Sequence, residues 1–143
     1  MSSAMAISRS GLDVEWQRLQ IIAQNLANMN TSRTASGDPY QPLRMISGPD
    51  VSFADALAQK GAVSKPAPVK VLSVEAMPGG TKRVYDPTDP AAGADGFVSL
   101  PDIDQASEMT LMIRSSRVYE ANLTALAIER QMFSRALDLG KSS

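Results

Sequence analysis

DQASEMTLMIRSSRVYEANLTALAIERQMFSRALDL, residues Asp104 to Leu139, holds no Pro or Gly and reads as one long helix. Asp104 is placed to cap its start, with Pro101 just outside, and Gly140 with Lys141 is placed to end it. One apolar stripe runs through Met109, Met112, Ser116, Tyr119, Leu123 and Leu126, then Arg130, Phe133 and Leu137. A second runs through Leu111, Ser115, Val118, Asn122 and Ala125, then Met132, Ala136 and Leu139. A helix apolar on more than one side needs more than one covering neighbour.

Its counterpart is at the other end of the chain. Between residue 3 and about residue 30, Met5, Leu12, Trp16, Leu19, Ala23 and Leu26 follow the alternating three-and-four spacing of a helical seam, with Arg9 the one polar member. Asp13, Glu15, Arg18, Gln20 and Gln24 occupy the far side, and Asn28 and Asn30 supply stop chemistry, Asn being tolerant of a left-handed cap. At 1.5 Å per residue the two helices span about 40 and 54 Å, so pairing them leaves several turns of the longer one bare. Other chains are expected to cover that remainder.

Between them the chain changes character. Residues 31–103 hold all nine Pro and seven of the nine Gly, which disfavours long helices. Val69–Glu75, Lys82–Tyr85 and Gly96–Leu100 read as three short strands, with Gly79-Gly80 a hairpin turn between the first two. Phe53–Leu57 is a candidate helical turn and residues 58–68 a mobile loop. The expected fold is therefore mainly α with a small β insert. The terminal helices, residues 1–31 and 104–143, pair as a coiled coil, and residues 32–103 form a β-rich, loop-rich insert.

The composition excludes several function classes. With no Cys and no His, thiol nucleophiles, disulfides, histidine bases and nearly all transition-metal sites are ruled out. The absence of Cys also suits work outside the reducing cytosol. Charge is weakly positive at both ends, four Arg against three acids in residues 1–44 and five bases against three acids in residues 109–143. The middle is acidic, with five bases and nine acids. Without a basic run, and with only 5% aromatic residues for stacking, nucleic acid is not an expected partner. The apolar stretch Ala4–Ile7 is too short for a signal-peptide core, and no run approaches a membrane span.

The one cluster with chemical potential is Asp86, Asp89 and Asp95, followed by Asp102 and Asp104. It opens a rival reading, a periplasmic cell-wall-remodelling enzyme or a calcium-binding module built on Asp86, Asp89 and Asp95. Against it, the stretch lacks the EF-hand spacing and closing Glu, and Asp beside Pro and Gly ordinarily forms turns. Gly79-Gly80-Thr81-Lys82 imitates only the tail of a phosphate loop. Met109, Met112 and Met132 are adaptable packing residues, and Trp16 suits either helix packing or an interface hot spot.

The chain resembles the flagellar rod and hook axial proteins in several separate stretches. Leu12, Arg18-Leu19, Ala23-Gln24-Asn25-Leu26-Ala27-Asn28 and Asn30-Thr31 resemble the amino-terminal signature of that family. YDPTDPAAGADGFVSLPDID, Tyr85 to Asp104, is similar to the stretch that marks its proximal-rod members, with Tyr85, Pro87, Pro90, Gly96 and Pro101 as its fixed points. Glu108-Met109, Ser116–Asn122 with Arg117 and Asn122, and Leu137–Gly140 are also similar. Gln41-Pro42 stands where the family usually has basic residues, Glu15-Trp16 replaces a smaller pair, and residues 46–68 match poorly.

The resemblance implies a structural, non-enzymatic role without cofactor, metal or small-molecule substrate. It implies export through the flagellar type III apparatus without a cleaved signal. It further implies assembly in the periplasmic rod with copies of itself and with related rod proteins (FlgB, FlgF and a FliE-like junction protein), giving a drive shaft that transmits motor torque for motility. The expected assembly interface is Leu12, Trp16, Leu19, Ala23 and Leu26 on the first helix. On the second it is Met109, Met112, Tyr119, Leu123, Leu126, Phe133 and Leu137.

Overall fold

The computed structural model describes residues 3–52, 57, 66–77 and 79–141. In chain order the elements are α1 (Ser3–Ala27), β1 (Leu43–Pro49), β2 (Val69–Ala76), β3 (Thr81–Tyr85), β4 (Phe97–Pro101) and α2 (Gln105–Lys141). Two terminal helices with a β-rich segment between them are thus present. Residues 53–56 of the proposed turn at Phe53–Leu57 and residues 58–65 of the proposed loop lie outside the described residues.

The helix boundaries show which local signals act. Asp104 caps α2 as its sequence position predicts: Oδ1 accepts the Ala106 N–H at 3.1 Å and Oδ2 accepts the Ser107 hydroxyl at 2.5 Å. These donors hold the Asp104 carboxyl below its usual range, the Ser107 hydroxyl most of all. Gly140, expected beyond the helix end, lies inside α2 without a left-handed backbone. α1 stops at Ala27 rather than near residue 30, and no left-handed Asn ends it. Instead the Asn28 N–H and Nδ2 both donate to the Gln24 carbonyl, at 3.1 and 2.9 Å. Thr31 then donates to Asn28 through its N–H and its hydroxyl.

The strands correct the hairpin expectation. β2, β3 and β4 fall where alternation placed them, but there are two two-stranded sheets, β1 with β2 and β3 with β4. Gly79-Gly80 therefore links strands of different sheets, and Gly80 extends the second ladder by accepting the Asp102 N–H. β1 was hidden because Pro42, Gly48 and Pro49 punctuate it. Its Gly48 is explained by Leu72, whose side chain lies 3.0 Å from where a Cβ would stand.

The chain divides into two compact units. The first comprises Met1–Gln17, Ile46–Ser73 and Ser115–Ser143. There α1 and α2 run antiparallel, Ser8 meeting Glu129 and Gly11 meeting Asn122, and Ser8, Gly11, Val14 and Ser115 are buried. Ser10 anchors β2 to the helix: its hydroxyl accepts the Val69 N–H at 3.0 Å and donates to the Ile7 carbonyl. The Asp50 N–H reaches the Pro68 carbonyl at 2.7 Å, and the Asp50 carboxylate pairs with Lys70 at 2.7 Å.

The second unit comprises Arg18–Met45 and Val74–Arg114. Its buried apolar residues are Ile22, Pro42, Met45, Val98, Pro101 and Ile103. β3 and β4 pair antiparallel with Val84 opposite Val98 and Tyr85 opposite Phe97. The two rings meet edge to face at 5.3 Å between centroids.

Candidate functional site

The most buried row of α2 is polar, and it includes Ser115 and Asn122 of the second stripe. On α2 the residues Glu108, Ser115, Asn122 and Glu129 recur every seven positions, the spacing that keeps one row facing a partner helix. Glu108 and Ser115 are buried, and Asn122 and Glu129 half-buried. In the first unit Asn122 covers Gly11, and Ser8 donates to Glu129 Oε1 at 3.1 Å. In the second unit Asn25, 1% exposed, donates from Nδ2 to Glu108 Oε2 at 3.3 Å. Within the chain, α2 therefore meets α1 through a polar row, alongside the buried Val14 and Ile22 of α1.

Asn25 uses its full bonding capacity. Its Nδ2 also donates to the Leu43 carbonyl at 2.9 Å. Its Oδ1 accepts the Leu43 N–H and the Tyr40 hydroxyl, both at 2.9 Å. One side chain thereby ties together α1, the start of β1, Tyr40 and α2. Burial, and secondarily the Glu108 charge, pushes the Tyr40 hydroxyl above its ordinary pKa.

The α1 seam and the first α2 stripe, from Met109 to Leu137, are largely left exposed. In the first unit Trp16, Leu123, Phe133 and Leu137 are each at least half exposed, while Leu12, Tyr119 and Leu126 are half-buried. Trp16 is 54% exposed and leans on Tyr119, ring centroids 6.3 Å apart. In the second unit Ala23 and Met109 are exposed and Leu19, Leu26 and Met112 half-buried. Trp16, Leu123, Phe133 and Leu137 thus belong to an exposed apolar surface of the first unit.

In the first unit this surface is a trough between the two helices. One hollow of about 560 Å³ is lined by Met5, Arg9, Leu126, Arg130, Phe133, Ser134 and Leu137. A neighbouring hollow of about 520 Å³ is lined by Arg9, Leu12, Asp13, Trp16, Tyr119 and Leu126. They share Arg9 and Leu126, so they form one groove walled by α1 on one side and α2 on the other.

The family-pattern residues of the middle segment serve the β3–β4 turn. Gly96 has φ +74°, and a Cβ there would lie 2.8 Å from the Tyr85 ring and 3.4 Å from Pro87. The Arg83 guanidinium stacks over Phe97 at 4.7 Å and pairs with Asp95. Asp86 accepts the Thr88 N–H and hydroxyl, at 3.1 and 2.7 Å, and Asp89 accepts the Ala91 N–H at 2.7 Å. Asp95 accepts the Phe97 N–H at 3.3 Å. Asp86 is held below the usual carboxylate range chiefly by the Thr88 hydroxyl, and Asp95 chiefly by the Phe97 N–H.

Each carboxylate of the acidic trio is thus engaged in its own turn. Among the described residues there is no group of three or more potential ligands placed to hold a metal ion, and no helix long and apolar enough to cross a membrane. Pro101 is fully buried, Pro90 and Arg117 are exposed, and Asn28 closes α1. Sequence reasoning selected Asn25, Glu108 and Asn122 by resemblance without their contacts, and missed Ser8, Gly11, Tyr40 and Glu129. The seven-residue recurrence on α2 was a signal for Glu129; Ser8, Gly11 and Tyr40 carried none.

Residues 94–139 match the family model described as the flagellar basal body rod FlgEFG protein C-terminal region. The flagellar basal-body rod protein FlgC of Bacillus subtilis is 35% identical, over 96% of this chain and 97% of that protein. FlgC of Borreliella burgdorferi is 34% identical, over 94% of each. FlgC of Salmonella typhimurium is 33% identical, again over 94% of each.

Proposed function

The chain belongs to the FlgC family of flagellar basal-body rod proteins and is a structural subunit of that rod; from this premise we propose that it assembles through the outward apolar stripes of its two terminal helices. The observation that carries the reading is the polar row through which α2 meets α1. Small and polar residues (Ser8, Gly11, Asn25, Glu108, Asn122) are used within the chain, leaving Trp16, Leu123, Phe133 and Leu137 free for neighbours. Contacts between unlike faces propagate, as a shaft requires.

In this proposal the subunit sits in the periplasmic, proximal part of the rod and helps transmit motor torque. It passes through the flagellar type III export apparatus without a cleaved signal. Its neighbours are further copies of itself and rod proteins of the FlgB, FlgF and FliE kinds. The role is non-catalytic: the family relationship is to structural proteins, and Asp86, Asp89 and Asp95 are occupied in turns.

Leu123→Asp tests the reading. The side chain is 51% exposed, so the free subunit should keep its helicity, whereas a buried interface would have to desolvate an unpaired charge. In a strain lacking the native gene, Leu123→Asp should be produced and exported but yield few or no completed hook–basal bodies. Wild-type numbers of hook–basal bodies with both Leu123→Asp and Leu137→Asp would overturn the proposal.

A further inference from the structure

Arg9 is the single charged interruption of the α1 stripe, and Arg130 of the α2 stripe. They are far apart in sequence, yet both line the same hollow as Leu126 and Phe133. Neither has an acidic partner among the described residues, and both side chains are exposed in the free subunit. Water solvates them there at no cost. Covering the groove removes that water, and two guanidinium groups sealed beside Met5, Leu126, Phe133 and Leu137 then require a counter-charge.

We infer that the occupant of this groove is an amphipathic helix of a neighbouring rod subunit that carries a carboxylate within its apolar stripe, at the level of Arg9 and Arg130. Two walls of antiparallel helix offer the third member of a three-helix bundle its seat, and the apolar lining supplies non-specific adhesion. The carboxylate sets register and partner choice. An Arg fork takes both oxygens of a carboxylate, and a helix offering Lys or Arg at that layer is rejected by like charge. Asp13, at the Trp16 end of the same groove, gives the trough a charge gradient that also distinguishes the two directions of the entering helix. The inference rests on the proposed use of the outward stripes, and its test separates the two.

Three double or single variants of the full-length protein, expressed in a strain lacking the native gene, are compared by counting purified hook–basal bodies. Arg9→Lys with Arg130→Lys keeps both charges and should retain at least about half the wild-type count. Arg9→Glu with Arg130→Glu should lower the count more than tenfold. Suppressors restoring motility to this variant should replace an Asp or Glu by a neutral or basic residue on an amphipathic helix of a rod subunit. Far-UV circular dichroism of each purified variant checks that the helices form. Phe133→Asp tests the groove itself: normal assembly with it would refute the use of the groove and hence the underlying reading. If Phe133→Asp blocks assembly while the Glu pair assembles normally, the carboxylate inference alone is overturned. Suppressors confined to apolar substitutions would overturn it equally.

Discussion

Gly11 lies so close to Asn122 that a Cβ on it would stand 2.8 Å from the amide nitrogen and 2.9 Å from both Cγ and Oδ1. The whole amide therefore occupies the space that any larger residue at position 11 would need. Glycine in a helix interior costs up to about 1 kcal/mol relative to Ala, so its use here reflects close helix approach.

A double-mutant cycle follows from that geometry. Gly11→Ala alone gains helix propensity but must displace Asn122, so the two effects oppose and stability should fall or stay level. In an Asn122→Ala background the obstacle is absent, and the same change should stabilise by about 1 kcal/mol. Urea unfolding followed by far-UV circular dichroism reads both. Equal stabilisation in the two backgrounds would contradict the close approach.

Asn25→Ala removes four hydrogen bonds and leaves part-buried groups of Leu43 and Tyr40, and the buried Glu108 carboxylate, without those partners. Each orphaned buried group costs about 1–3 kcal/mol, so a loss of at least about 2 kcal/mol is expected. Asn25→Asp should be no better, because it removes the Nδ2 donor and sets a carboxylate against that of Glu108. Hydrogen exchange should show the damage at the start of β1, where the Leu43 N–H loses its acceptor. An undisturbed Leu43 amide in Asn25→Ala would refute the role given to this side chain.

Gly96→Ala should weaken the β3–β4 hairpin. The positive φ alone costs a non-glycine residue about 1–2 kcal/mol, and the Tyr85 ring stands where the new methyl must go. Tyr85→Ala with Gly96→Ala should recover the steric part of the loss and leave the backbone part. The check is the unfolding midpoint of the three variants. A Gly96→Ala protein as stable as wild type would rule out the strain.

How far the sequence was legible depended on the range of the signal. Asp104 was readable as a cap because its partners, Ala106 and Ser107, lie within one turn. Three strands were readable from alternation, whereas β1 was masked by its own Gly48-Pro49 and Gly79-Gly80 suggested a pairing that other strands make instead. The apolar stripes were visible as periodicity, but periodicity does not say whether a stripe meets its own chain or another. Only the polar row from Glu108 to Glu129, facing Asn25 in one unit and Gly11 and Ser8 in the other, shows which face the chain keeps for itself. Those contacts join residues more than eighty positions apart, a distance no local pattern spans.

Replacing Asp86, Asp89 and Asp95 together by Asn separates turn formation from charge chemistry. Asn keeps a side-chain oxygen for the N–H groups of Thr88, Ala91 and Phe97, so the turns should persist. Arg83 loses its ion pair with Asp95, but that pair is exposed and contributes little. Acid behaviour should change in a defined direction. Asp86 and Asp95 are held below 3.8 in the folded protein, so their stabilisation is complete above that pH and is lost as pH falls through their lowered values. The triple variant should therefore unfold less steeply with acid below about pH 4, and at neutral pH it should support near-normal swimming. Soft-agar motility together with acid titration of the purified protein makes the measurement. A triple variant that is folded, exported and present in the cell envelope yet completely non-motile would show that these carboxylates act beyond shaping turns, and the structural reading of the acidic stretch would fall.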